Sequence, residues 1–181
     1  MELTEYCRHK LLRFLEFFMP VRKYLSSISL GFRLSWKHYI YQSLIAAIVI
    51  LIVFLILTES HAVIIASIGS TAFIIFATPR SITAEPRRVI GGHLIGIASG
   101  SLFSFIPQLP PIPSAIIYSI AIGISIFLMV ATNTEHPPAS GTALGIAMNG
   151  FTINVTLAVI ASAIVLSVAH YFLKRFLKDL T

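Results

Sequence analysis

Residues 39 to 57 read YIYQSLIAAIVILIVFLIL, a run without a single charged side chain. At about 1.5 Å per residue, a helix of that length reaches roughly 28 Å, close to one hydrocarbon thickness. The run therefore reads as a membrane span, with Trp36, Tyr39 and Tyr41 forming an aromatic belt where it enters the bilayer. Working outward, the polar knot Thr58, Glu59, Ser60 and His61 turns the chain, and 62 to 78 returns it as far as Pro79 and Arg80. A third apolar run covers 89 to about 106, the proline-stiffened PQLPPIP follows, and 114 to 132 makes a fourth. After NTEHPPASG and a short helical piece, TALGIAMNG, the last run occupies 152 to 173.

Composition agrees with lipid as the solvent. Of 181 residues, 56% are hydrophobic and 11% charged, against about 45–50% and about 25% in soluble domains. That balance excludes a disordered chain and argues against a water-soluble one. The net charge of +6 is gathered in three islands. Residues 1–38 hold seven cations against three acids, a central island holds Arg80, Arg87 and Arg88, and the tail holds Lys174, Arg175 and Lys178. No Lys or Arg falls between Val89 and Leu173. A reader of nucleic acid would spread its cations over a face, so this alternation points away from nucleic acid and toward the positive-inside pattern of a membrane protein.

Three segments follow. Residues 1–38 are basic, and within them Leu11, Phe14, Leu15, Phe18 and Met19 line one face of a helix ending at Pro20. That helix either lies on the cytoplasmic leaflet or packs on protein. Residues 39–175 form the transmembrane domain, and 176–181 a cytoplasmic tail. The expected class is all-α, polytopic, with both termini cytoplasmic in the plasma membrane. For all three islands to share one side, 133–151 must cross as a broken element, which makes six crossings; a re-entrant 133–151 makes five. No cleavable signal is expected, since the first long apolar run starts only after the basic stretch.

Polar chemistry gathers in three places: Gly69, Ser70 and Thr71 with Arg80, Arg87 and Arg88 downstream; Gly91, Gly92 and His93; and Glu135, His136, Pro137, Pro138, Ser140, Gly141 and Thr142. The stretch from Ala66 to Ala72 faintly echoes that from Ala139 to Ala143, and repeated elements meeting at a midplane site are a known transporter plan. A helix start rich in Gly, Ser or Thr exposes amides at the positive end of the dipole, a seat for anions. An arginine nearby adds planar donors suited to oxyanions. Arg87 and Arg88 also suit plain headgroup anchoring. Small residues Gly96, Ser99, Gly100, Ser101 and Gly123 suit close helix packing, including self-association. His93 and His136 stand in the breaks, where a histidine donates or titrates. His9, His38, His61 and His170 read as interfacial or solvated. Metal ligation by Glu85, His93, Glu135 and His136 lacks helical ligand spacing, and the lone Cys7 excludes an intrachain disulfide. No cofactor is expected.

The stretch Gly69-Ser70-Thr71-Ala72, the run from Glu85 to His93 with its Gly91-Gly92 pair, and above all His136-Pro137-Pro138-Ala139 resemble the HPP family of integral membrane proteins. The resemblance covers roughly 35 to 175. It implies a compact helical membrane domain and, from some members, nitrite transport. Many relatives read Ala-Gln-Pro where this chain has Ala84-Glu85-Pro86, and Asn where it has His93. The resulting expectation is a transporter or channel, not an enzyme. Gly69, Ser70, Thr71, Gly91, Gly92, Ser140, Gly141 and Thr142 would hold a small anion. Arg80, Arg87 and Arg88 would attract it, Pro137 and Pro138 would keep the chain extended, and His136 would carry a proton. Alternatives are a proton-coupled cation or metal carrier and a non-transporting interaction or sensor module.

Overall fold

The computed structural model describes residues 35–55, 62–106 and 114–180. The basic N-terminal helix, Cys7, His9, the turn carrying Glu59 and His61, and the PQLPPIP segment lie outside them. Residues 1–40 and 41–181 are separate units.

Among the described residues, six α-helices and two 3-10 turns make up the regular structure. The helices are α1 (Ser35–Leu55), α2 (Ala62–Ala77), α3 (Pro86–Ser104), α4 (Ser114–Ala131), α5 (Pro138–Asn149) and α6 (Ile153–Leu173). By length and apolar composition α1, α4 and α6 qualify as membrane spans on their own. The chain is thus an all-helical membrane protein.

Local chemistry sets the ends. Pro86 opens α3, three residues before the apolar run that the sequence marks, because its fixed φ and missing N–H suit a first turn. Ser81 accepts from the Thr83 amide to hold the 3-10 turn Ile82–Ala84. Thr152 caps α6 by accepting from the Val155 amide. Gly150, at φ +88°, ends α5 in a conformation few other residues adopt.

The proline pair departs from expectation. Pro137 has φ −50° and ψ −39°, helical values, and Pro138 is the first residue of α5. The pair therefore nucleates a helix where an extended strut was expected. Two prolines in succession share a φ near the helical value, and the N–H groups they lack would be unpaired at a helix start anyway.

Helix α5 is the hub. It packs on α2, α3 and α4. Along α3, a Cβ on Gly92 would lie 2.7 Å from the His136 Cβ, one on Gly96 2.4 Å from the Ala139 carbonyl oxygen, and one on Gly100 2.6 Å from that of Ala143. The numbers rise together, so α3 and α5 run parallel, backbone against backbone. On its other side Gly141 meets Ser67 and Gly145 meets Ile64, so α2 runs antiparallel to α5. Small residues at every fourth position permit this approach where lipid gives no hydrophobic drive between helices. Gly96 and Gly100, expected as possible self-association surfaces, are consumed inside the chain. Around the hub Ile64, Ile68, Ile75, Phe76, Val89, Ile146, Val155 and Leu166 make a continuous apolar core.

One end of the bundle is tied by polar contacts. The buried Gln42 amide donates to Phe76 O (2.6 Å) and Lys178 O (2.8 Å) and accepts from the Lys178 amide. The Leu180 amide reaches Ala77 O, the Arg80 amide reaches Asp179, and His170 Nε2 donates to Pro79 O at 2.8 Å. These bonds gather the early turns of α1, the end of α2, the start of α3 and the end of α6.

Candidate functional site

The polar centre sits one to two turns in from that end, where α2, α3 and the start of α5 meet. Thr71 Oγ1 lies 3.0 Å from His93 Nε2 and 2.9 Å from His136 Nε2, and 3.1 Å from Ser67 O in its own helix. His93 Nδ1 is 2.9 Å from Thr142 Oγ1, which is 3.0 Å from Ser67 Oγ. Ser67 Oγ donates to Pro138 O at 2.5 Å, and His136 Nδ1 donates to Thr83 O at 2.9 Å. Every side chain in the chain of contacts is buried. The sequence allows this because Gly92 leaves room for His136, and the Pro138 carbonyl has a second lone pair for the Ser67 hydroxyl.

Some directions are forced. A carbonyl only accepts, so His136 Nδ1 carries hydrogen and Ser67 donates its single proton to Pro138. The two imidazoles stand 5.2 Å apart, centre to centre, tilted by 57°.

A second polar group lies beside the first. Arg88 is buried and ion-paired with Glu135, 3.6 Å from Glu85, and donates to Asn133 Oδ1 at 2.5 Å. Asn133 has φ +56°, a left-handed conformation that Asn adopts more readily than most. This clamp ties the end of α4 to the start of α3 and places His136 one residue beyond Glu135.

The fifteen residues singled out from the sequence separate accordingly. Thr71, His93, His136 and Thr142 form the buried cluster, and Gly91 and Gly92 pack on Thr134 and His136. Arg88 is the clamp. Arg80 and Arg87 are exposed, as are Gly69 and Ser70, and Ser70 donates to Ala66 O in its own helix. Pro137, Pro138 and Gly141 line a groove of about 510 Å³ between α2 and α5, together with Ser67 and Ser70. Ser140 is half-buried, its amide donating to Pro137 O. Sequence reasoning passed over Ser67, Thr83, Asn133 and Gln42. Ser67 had a signal, one turn before Thr71 within the echoed stretch; Gln42 had one too, as a lone amide in an apolar run.

Helices with apolar outer faces around an inner pair that encloses polar side chains define a polytopic integral membrane protein in contact with the bilayer. The family model described as HPP, transmembrane region, matches residues 32–179, and the chain belongs to that family. It is similar to two transmembrane proteins of Dictyostelium discoideum, 37% identical over 82 residues and 30% over 78, which is 45% and 43% of this chain. The aligned stretches span 29% and 25% of those longer proteins. No solved structure matches significantly.

Proposed function

We propose that the protein is a transporter or channel for a small inorganic anion of the nitrite kind, not an enzyme. It would lie in the plasma membrane with six crossings, α5 being the short one, and both termini cytoplasmic. The observation that carries the reading is the groove at the first turn of α5, where Ser67, Ser70, Pro138 and Gly141 meet beside the buried cluster. A helix start carries about half a positive charge, and inside a bilayer that field is weakly screened. The amides of Ala139 and Ser140 already bond to His136 O and Pro137 O. The groove thus offers an anion the dipole field and, once it turns from Ala66 O, the exposed Ser70 hydroxyl, where the sequence reading had a cradle of free N–H. Exposed Arg80 and Arg87 flank the end from which α3 departs and would raise the local anion concentration.

Six crossings accord with the tie between Gln42, Ala77, Pro79 and the tail, which brings the central and C-terminal basic islands to one end. Against a cation or metal carrier stands the engagement of Glu85 and Glu135 with Arg88. The test is anion flux in proteoliposomes, nitrite first, with and without a pH gradient. The reading predicts nitrite flux above protein-free liposomes and a several-fold reduction in Arg80→Gln. No flux of any anion would remove it, and unchanged flux in Arg80→Gln would remove the role of that arginine.

A further inference from the structure

We propose that the cluster centred on Thr71 is a proton-binding relay, taking up one proton and passing it between His136 and His93. The cluster has fewer hydrogens than close contacts. The cluster makes seven contacts of hydrogen-bond length: His136 with Thr83 O and with Thr71, Thr71 with Ser67 O and with His93, His93 with Thr142, Thr142 with Ser67 Oγ, and Ser67 Oγ with Pro138 O. Each needs one hydrogen. Three hydroxyls and two neutral imidazoles supply five, enough to give every ring nitrogen and hydroxyl one bond, and two contacts stay open to a further proton.

One added proton serves a sixth contact, and it does so equally well in two places. With the proton on His136, both ring nitrogens of that residue donate, to Thr83 O and Thr71. Thr71 then donates to His93 Nε2, His93 Nδ1 to Thr142, Thr142 to Ser67, and Ser67 to Pro138 O. Transfer breaks His136 Nε2–H and forms an O–H bond on Thr71, while the original Thr71 O–H breaks and Nε2–H forms on His93. The same six contacts are served afterwards, and no heavy atom has moved. A second proton would serve the seventh contact but would place two cations on rings 5.2 Å apart. The charged neighbours are Arg88 of α3 with its partners Glu85 and Glu135, and exposed Arg87. On α6, His170 bonds to Pro79 O. Helices α2 and α5 carry no titratable side chain, and α4 carries Tyr118.

The relay ends on Ser67, which lines the groove, so a proton on His93 reaches through Thr142 to the wall that the anion would pass. Only this last purpose rests on the transport reading; the proton site stands on its own geometry. The test uses full-length protein with ¹⁵N-labelled histidine in lipid nanodiscs, signals assigned through His93→Gln and His136→Gln. The relay predicts that His93 and His136 move through one shared midpoint, each stopping near half the full imidazolium shift. Thr71→Val should split this into two separate steps, and Thr71→Ser should restore it. Separate steps in the wild type, or a shared step that persists in Thr71→Val, would overturn the relay, and the wild-type result alone decides if Thr71→Val does not fold. A shared step without nitrite flux leaves the relay standing and removes the transport reading; flux with separate steps removes the relay alone.

Discussion

Helices α4 and α5 follow one another in the chain and meet opposite fates. Helix α4 has 18 residues, almost all apolar, and buries only Ile117, Ala121, Ser125 and Met129, one stripe with a four-residue repeat. Helix α5 has 12, is rich in Gly, Ala, Ser and Thr, and is buried on two sides. The apolar spans follow the same rule: the most apolar windows of α1 and α4 are 11% and 22% buried. In lipid the apolar side chains face out, because the tails are as apolar as leucine, and the interior goes to whatever packs closest. Hydropathy thus locates the bilayer-facing wall, while glycine spacing and polar residues locate the interior.

The largest effect is expected from one methyl group added where α3 meets α5. Gly96→Ala puts a Cβ 2.4 Å from the Ala139 carbonyl oxygen, and should destabilise by about 3 kcal/mol through backbone displacement. The loss should show as early collapse of the monodisperse peak when detergent-solubilised protein is heated and run on a sizing column. Next comes the polar tie at the bundle end. Gln42→Leu leaves Phe76 O, Lys178 O and the Lys178 amide without their partner, at a cost of about 2 kcal/mol. The same assay reads it, together with faster proteolysis of the tail.

Arg88→Met strips Glu135 of its partner. Full burial would make that a cost of about 3–5 kcal/mol, but the Glu135 side chain is 38% exposed, which lowers the expectation to about 1.5 kcal/mol. The double variant with Glu135→Met should recover most of the loss in a double-mutant cycle; additive losses would show that the pair is not coupled. Smallest, and of opposite sign, is Gly123→Ala in α4. Its Cβ would meet nothing within 4 Å, so the exchange should stabilise by about 0.5 kcal/mol through helix propensity alone. A clear destabilisation there would mean that α4 is covered by a partner.

Much of this was legible from the chain. Alternating charge islands and apolar runs mark the membrane class, and Gly91-Gly92-His93 with His136-Pro137-Pro138 mark residues that do meet. What the sequence hides is pairing at long range. Arg88 and Glu85 are one helical turn apart and readable, but Glu135 is 47 positions from Arg88 and only the fold joins them. The prolines differ from expectation for a local reason: the same φ suits an extended strut and a helix start, and ψ, which separates them, is left open by the ring. Sequence reading places Thr71 beside Gly69 and Ser70 in an anion seat, whereas in the fold its hydroxyl lies between two histidines.

The measurement closest to the central claim is nitrite flux into proteoliposomes by wild-type protein and by Thr71→Val, with Gly123→Ala as the matched control in α4. The account predicts flux in the wild type, near-complete loss in Thr71→Val with the sizing profile unchanged, and wild-type flux in Gly123→Ala. Flux by Thr71→Val equal to that of the wild type would contradict it.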